Sequence, residues 1–355
     1  MADVTGGVDR PSGRGQLLVI TALALAVMFI ALALLLNTAI YTENLATRAH
    51  SNDDTEAIQY GAEARTVGAE LTRQANYGEN GSEYSDIYDV LTQGLLRWDQ
   101  ATSRQNAVRG GMSHVRVADG VNGTRIVQPQ DGEFTNNQSA GTWTVVEDVN
   151  GTRHFRMNVT RATLTTASVG SLDDVFNITV ENGGQTWTVS VYKTAGETLV
   201  TVDPPTGPIT TCPGDAGGKR TVIDITAGRV NTSECGALNV FDDVSGNYDI
   251  GFVNASRGGT PHVNGVYELF VNKPYDDVDV NNNLFDDGGQ SPLKTTALYS
   301  VNLSVGYNNS ALTYHTISRT VPSDIRGISG GGGTGGQAGG ADDGGGSAPV
   351  INTFD

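Results

Sequence analysis

The chain has 355 residues, enough for one large domain or two of ordinary size, and its 39 acidic and 22 basic residues give a net charge of −17. A chain this acidic repels phosphate backbones, which excludes nucleic acid as a partner. Its 46 glycines and its richness in Asn and Thr predict β-structure and turns rather than a helical bundle. The acidic residues are spread along the sequence, a pattern typical of the solvated surface of a halophilic protein.

An apolar run of twenty residues, Leu17 to Leu36, has Thr21 as its one polar residue. As a helix it would be about 30 Å long, which is enough to cross a bilayer. We therefore predict a cytoplasmic leader over residues 1–15 and a transmembrane helix over residues 16–40.

The flanking charges and the glycosylation sequons predict the same orientation in the cell membrane. Arg10 and Arg14 precede the run, which places the N-terminus in the cytoplasm and the C-terminal domain outside. Ten Asn-x-Ser/Thr sequons follow the run, although a chain rich in Asn and Thr also produces some by chance. Asn158, Asn177 and Asn302 alternate with apolar residues, so we expect them to point outward. The candidate glycosylation sites are Asn80, Asn122, Asn137, Asn150, Asn158, Asn177, Asn231, Asn254, Asn302 and Asn308.

The residues before the run, Gly13-Arg14-Gly15-Gln16, place a base, a glycine and a glutamine at the start of a long apolar helix. This segment resembles the class III, prepilin-type signal of archaeal type IV pilins. About the first 50 residues are similar to haloarchaeal pilin-like membrane proteins. The resemblance implies that a membrane aspartic peptidase cuts between Gly15 and Gln16, and that the apolar helix packs against neighbouring copies to build a filament.

The sequence departs from the pilin pattern at Ile20, because pilins commonly carry Glu at this fifth mature position. Minor, tip-located pilin-like proteins are similar in lacking that Glu. A plain signal anchor with a fortuitous Arg-Gly-Gln is the alternative interpretation.

Residues 41–110 are predicted to form an extracellular helical segment. Ser51 to Asp54 has the character of a capping box, so we expect a helix to break and restart there. Apolar residues at helical spacing follow over 57–71, and a turn cluster is predicted at 76–82. A second helical stripe runs over 84–98. Both stripes are predicted to be core that covers a sheet.

From Met112 the apolar period changes to two, which predicts strands. Asn-Gly or Asn-Asn pairs between alternating segments predict hairpins at Asn122-Gly123, Asn150-Gly151, Asn182-Gly183-Gly184 and Asn308-Asn309. The predicted fold class is α+β: a transmembrane helix and amphipathic helices, then a mainly antiparallel β-meander domain over 111–326 that is compatible with an enlarged pilin-like fold. Prolines over 204–214 leave open a division into two β-subdomains.

The two cysteines, Cys212 and Cys235, bracket a loop of 22 residues. In an oxidising extracellular setting we predict that they form a disulfide, with two free thiols as the alternative.

An acidic loop over 276–287 has two interpretations. Asp277, Asp279, Asn281 and Asn283 stand at alternate positions, as the oxygen ligands of a calcium loop do. The loop is no EF-hand, because its sixth position is Asn282 and its twelfth is Gly288, so the second interpretation is a plain acidic surface turn.

Motifs for catalysis are missing from the sequence. The five histidines are scattered, and there is no nucleophile elbow and no phosphate-binding Gly-Lys-Thr loop. His114 and His154 lie in predicted strands and are expected to be structural. We therefore predict a protein that is not an enzyme and holds no cofactor, apart from the calcium interpretation.

The C-terminal part divides into a linker and a short tail. Residues 327–347 hold twelve glycines, which predicts a disordered, flexible tether. The apolar tail at 348–355 is interpreted either as the first strand of a missing module or as a tethered strand that adds to a sheet edge.

These features predict a non-catalytic pilin-like subunit, minor or tip-located, of a surface filament. Its expected partners are the membrane, the pilus assembly machinery and other pilin-like subunits. The alternative is a permanently anchored envelope or adhesion protein that binds surface polymers or neighbouring proteins. An anchored hydrolase is the third hypothesis.

Overall fold

The structure is a computed structural model that describes residues 13–78, 83–280, 283–286, 292–310 and 312–322. For residues 13–22, 24 and 38–54 it describes the backbone alone. The predicted Gly-rich linker and the apolar tail lie outside the described residues, as does most of the predicted leader.

The described chain forms two long helices followed by many short and long strands. The helices are α1 (Gly13–Gly78), α2 (Tyr84–Val108) and α3 (Val240–Asp243), with 3-10 turns at Gly236–Leu238 and Tyr275–Asp277. The strands are β1 (Met112–Glu133), β2 (Trp143–Val149), β3 (Thr152–Thr160), β4 (Phe176–Asn182), β5 (Gln185–Lys193), β6 (Thr198–Asp203), β7 (Thr210–Pro213), β8 (Arg220–Asp224), β9 (Arg229–Val230), β10 (Ser233–Glu234), β11 (Tyr248–Val253), β12 (Ser256–Arg257), β13 (Thr260–Pro261), β14 (Asn264–Val271), β15 (Leu293–Asn308) and β16 (Thr313–Thr320).

Helix α1 is one continuous element, so the predicted break at Ser51–Asp54 is wrong. Neither Gly nor Pro stands in residues 51–59, and Glu56, Ala57 and Gln59, which follow the predicted break, are good helix formers. The turn cluster was predicted to begin at Asn76, but α1 continues to Gly78. The rest of the predicted cluster, residues 79–82, lies outside the described residues.

Helix α2 follows the predicted stripe. Ile87, Leu91 and Leu95 are fully buried on one face, at the spacing expected of an amphipathic helix. After Val108 the chain leaves the helix through Gly110, whose φ of +83° lies in the left-handed region that glycine adopts without strain.

The strands form two main antiparallel sheets, which confirms the α+β class and the β-sheet domain. The large sheet has the strand order β10-β9-β8-β3-β14-β1-β15-β16, and the small sheet has the order β2-β11-β4-β5-β6-β7. Their facing sides share one core, in which Tyr267 of the large sheet meets Phe252 of the small sheet edge-on at 5.1 Å between ring centres.

The second face of the large sheet is covered by the two long helices. Val115, Leu303 and Val305 form a second core there with Ile87 and Leu91 of α2. The molecule therefore has three layers, with the helices on one side of the large sheet and the small sheet on the other.

Two of the predicted hairpins are correct. Strands β4 and β5 pair around Gly183 and Gly184, whose φ values of +56° and +83° suit a two-residue turn. Strands β15 and β16 pair across the turn that follows Asn308.

The other two Asn-Gly predictions are wrong. Asn122-Gly123 lies inside β1, which continues for 22 residues because β15 pairs along both halves, with a register shift between Val121 and Asn122. Asn150-Gly151 connects β2 and β3, which belong to different sheets, so this turn carries the chain from one sheet to the other. Among the described strands, consecutive pairing as a meander occurs over β4 through β7 in the small sheet and over β8 through β10 in the large sheet.

The predicted disulfide is confirmed, since Cys212 and Cys235 are bonded with their Cα atoms 6.0 Å apart. Cys212 lies in β7, the edge of the small sheet, and Cys235 directly follows β10, the edge of the large sheet. The bond therefore ties the two sheets together at one end. Residues 204–209, within the region where the division into subdomains was left open, connect the neighbouring strands β6 and β7 of one sheet.

We expect the double variant Cys212→Ser/Cys235→Ser to lose about 3 kcal/mol of unfolding free energy, because the unfolded chain regains the entropy of an open loop. Urea denaturation followed by circular dichroism measures this difference. A reductant should weaken the native protein and leave the variant unchanged. Equal midpoints for the oxidised protein and the variant would contradict a stabilising role.

Candidate functional site: the apolar segment of α1 and its attachment to the large sheet

The N-terminal half of α1 carries an apolar segment, Leu23–Leu36, whose large side chains are exposed. Their exposed fractions range from 54% at Leu32 to 74% at Met28. The exposed residues are Leu23, Leu25, Val27, Met28, Phe29, Ile30, Leu32, Leu34, Leu35 and Leu36. Soluble monomers rarely expose a continuous apolar surface of this kind, and such surfaces mark contacts with proteins or membranes.

Within the part of the chain that the structure describes, no helix has the length and apolarity that a membrane crossing needs.

The predicted processing residues Gly15 and Gln16 lie near the start of α1, where the structure describes the helical backbone alone. They are thus continuous with the apolar segment in one helix.

The C-terminal part of α1 packs on strands β15 and β16. Ala57 and Ala64 are buried against the sheet, and the ring of Tyr60 stacks on Trp98 of α2 at 5.5 Å between centres. At the same end Tyr307 of β15 donates its hydroxyl hydrogen bond to Glu56 at 2.9 Å. The small side chains of Ala57 and Ala64 thus let α1 pack closely on the sheet, and Tyr60 fills the space beside α2.

Asn76, in the last turn of α1, is bonded to the backbone of β15. Its Nδ2 donates to the carbonyl of Leu298 at 3.0 Å, and its Oδ1 accepts from the Leu298 amide at 2.7 Å. Asn76 is 1% exposed, and the contact falls where the pairing of β1 with β15 shifts register. The Asn76 side chain therefore pairs with the backbone of Leu298 as a neighbouring strand would, at the bulge in β15.

The adjacent residue, Tyr77, joins α1 to a buried ionic cluster around Glu268 of β14. Glu268 is 2% exposed and accepts hydrogen bonds from Arg125 Nε at 2.5 Å, Tyr77 Oη at 3.0 Å and His154 Nε2 at 3.1 Å. The Arg125 guanidinium also lies 4.7 Å from the centre of the Tyr77 ring. Helix and sheet therefore share one buried charge network.

The cluster keeps Glu268 ionised. Burial by itself raises the pKa of this carboxyl, but the charge of Arg125 and the hydrogen bond and charge of His154 outweigh it and lower the pKa from 4.5 to about 2. Removing any one partner would leave a charge buried without full compensation.

The predicted glycosylation residues differ in accessibility. Asn137, Asn150 and Asn308 are exposed, whereas Asn122, Asn158, Asn231, Asn254 and Asn302 are half-buried and Asn80 lies outside the described residues. The outward position expected for Asn177 is wrong: it is 9% exposed and accepts a hydrogen bond from Ser190 at 2.6 Å. Both faces of β4 are covered, so alternation with apolar residues does not place Asn177 in solvent.

The acidic loop is described only in part. Asp276 and Asp277 belong to a 3-10 turn, and the carboxylate of Asp279 accepts a hydrogen bond from the Leu284 amide at 2.8 Å. Residues 281–282 and 287–291 lie outside the described residues. Among those described, no three His, Cys, Asp or Glu side chains gather as a metal site. The calcium interpretation stays a prediction.

Comparison of the chain with family models, with curated proteins and with solved structures finds no match.

Sequence reasoning missed both attachments of α1. Asn76 stands in a run that reads as a turn, and Glu268 stands between apolar residues in a strand. The one available signal was a charged residue in an apolar strand, which requires a buried partner. That signal does not identify Arg125 or Tyr77 as the partner.

We expect Glu268→Gln to lower stability at neutral pH and to flatten its acid dependence. A pKa that is depressed on folding contributes stability above the unfolded value, near 4.5, and loses it as pH falls toward 2. A shift of this size corresponds to about 3 kcal/mol. Urea midpoints measured between pH 7 and pH 2 check this, with Glu63→Gln, an exposed carboxylate on α1, as the control. Parallel pH curves for Glu268→Gln and the native protein would contradict the role of Glu268.

Proposed function

We propose that this chain is a pilin-like subunit, minor or tip-located, of a surface filament, in which the two sheets form the exposed head. The observation that carries the proposal is the continuity of α1. One helix of 66 residues runs from the Gly15-Gln16 segment through the exposed apolar segment to the buried contacts of Asn76 and Tyr77. At 1.5 Å per residue it is about 99 Å long.

This geometry supports assembly because the part of α1 that can contact other copies is separate from the part that holds the head. The apolar segment is available to other copies or to lipid, while the last turns hold the head in a fixed orientation. In the proposal, the whole apolar run from Leu17 to Leu36, which contains this segment, lies in the cell membrane before assembly, with the N-terminus in the cytoplasm and the head outside. It then packs against the equivalent segments of neighbouring pilin-like subunits, with the help of the assembly machinery.

The proposal assigns no catalytic activity and no cofactor to the chain. The exposed sequons at Asn137, Asn150 and Asn308 fit a head that faces the outside of the cell.

The second candidate is a permanently anchored envelope or adhesion protein that uses the same head without assembling. It is favoured by Ile20, which stands where pilins commonly carry Glu. The two functions differ in one chemical event, the cleavage of the leader.

Under the pilin-like proposal, the mature protein begins at Gln16. Expression in a host that has a class III signal peptidase, followed by mass spectrometry of the membrane fraction, measures the N-terminus. Gly15→Val should block cleavage, because a branched side chain fills a position that needs close backbone access. The precursor would then retain its first fifteen residues.

The matched control is Gly13→Val, which makes the same change two residues before the cleaved bond and should leave processing intact. An uncut native protein in that host would overturn the pilin-like function and favour the permanent anchor.

A further inference from the structure

One end of the large sheet has a face that is open to solvent. Strands β1, β15 and β16 turn Val115, Val305 and Tyr307 toward the helices at this end. The alternate residues point the other way, and Met112, His114 and His315 among them are exposed. We call this side the open face.

Strand pairing brings two histidines together on the open face. His114 of β1 pairs with Gly306 of β15, and Gly306 pairs on its other side with His315 of β16. Because paired residues point to the same face, the two imidazoles flank a glycine. The centres of the two rings lie 6.5 Å apart.

Gly306 makes this approach possible. A Cβ atom at Gly306 would lie 2.7 Å from Nε2 and 2.8 Å from Nδ1 of His114. The His114 ring thus lies over the glycine and leans toward His315, with both of its nitrogens above the middle strand. Any other residue at this position would force the ring aside.

The separation of the rings suits one shared metal ion. An imidazole nitrogen binds a metal at about 2.0–2.1 Å, and the ring centre lies a little over 1 Å beyond it, so two rings on opposite sides of an ion have centres about 6.4 Å apart. The observed separation of 6.5 Å between ring centres is close to this value, with the ring planes tilted by 33° to each other. Two opposed nitrogen ligands are the geometry that monovalent copper favours.

A third donor on the open face agrees with the same metal. Met112 is two residues before His114 on the same strand face and is 68% exposed. The other methionine described in the sheets, Met157, is fully buried as core. Thioether sulfur is a soft ligand that selects copper(I), and imidazole suits copper as well.

Ser304 would orient one of the ligands. Its hydroxyl lies 3.2 Å from Nε2 of His315, and Ser304 is 3% exposed. When Nε2–H donates to this hydroxyl, Nδ1 of His315 keeps its lone pair for the metal. Metal-binding histidines commonly have their second ring nitrogen fixed in this way.

We propose that Met112, His114 and His315 form a site for a single copper(I) ion on the open face of the large sheet. The site is separate from the apolar segment and does not depend on the proposed assembly function. No electron transfer is part of the proposal.

The test is a competition for copper(I) between the full-length protein in detergent micelles and the chromophoric chelator bicinchoninate, without oxygen and with ascorbate. We expect the native protein to remove one equivalent of copper from the chelator. His114→Ala and His315→Ala should each weaken binding at least about tenfold, since even residues that only orient a ligand cost 10–100-fold. Met112→Leu should weaken it as well.

Two further variants test whether binding depends on these two histidines in particular and on the close approach at Gly306. His262→Gln, which removes a histidine elsewhere in the chain, should bind copper like the native protein. Gly306→Ala should weaken binding by displacing the His114 ring, although it removes no ligand. Circular dichroism melting curves would show that each variant is folded.

The proposal is overturned if the native protein takes no copper from the chelator, or if His114→Ala or His315→Ala binds as tightly as the native protein. Unchanged affinity in the folded Met112→Leu variant would overturn the three-donor site.

Discussion

The last turn of α1 is fixed to the large sheet by two polar contacts, a buried one at Asn76 and a partly buried one at Tyr77. Asn76 completes the hydrogen bonding of Leu298, and Tyr77 completes that of Glu268. Buried polar groups left without a partner cost about 1–3 kcal/mol each, and more when they are charged. If the end of α1 detached, the Leu298 amide and the Glu268 carboxylate would each lose a hydrogen bond at the same time. We therefore expect the helix and the large sheet to open as one unit.

This constraint determines how the rest of the molecule is arranged. With α1 fixed at its C-terminal end, α2 packs beside it and the two helices cover one face of the large sheet. The opposite face forms the shared core with the small sheet, and the Cys212–Cys235 bond ties the two sheets at their edges. The apolar segment then extends from a rigid base.

Local patterns predicted the local structure well. The helical spacing of Ile87, Leu91 and Leu95 predicted α2 correctly. The alternation of apolar and polar residues predicted β4 and β5, together with the glycine turn between them. The same logic failed at Asn122-Gly123, because turn propensity is weaker than continuous pairing of both halves of β1 with one long partner.

The pairing of distant segments could not be predicted from one sequence. Asn76 meets Leu298, Arg125 meets Glu268, and His114 meets His315 only because of the strand order and register of the large sheet. Periodicity identifies which residues share a face of one strand, but it does not identify the neighbouring strand. For this reason the histidines looked scattered and the charges of the buried cluster looked unrelated.

Native-state hydrogen exchange tests the central claim most directly. If α1 and the large sheet are one cooperative unit, the Leu298 amide and the α1 amides over 57–75 should exchange with opening free energies close to those of Val301 and Leu303 in β15. Exchange of the α1 amides at the rate of a fraying helix, while the β15 amides stay protected, would contradict a single cooperative unit.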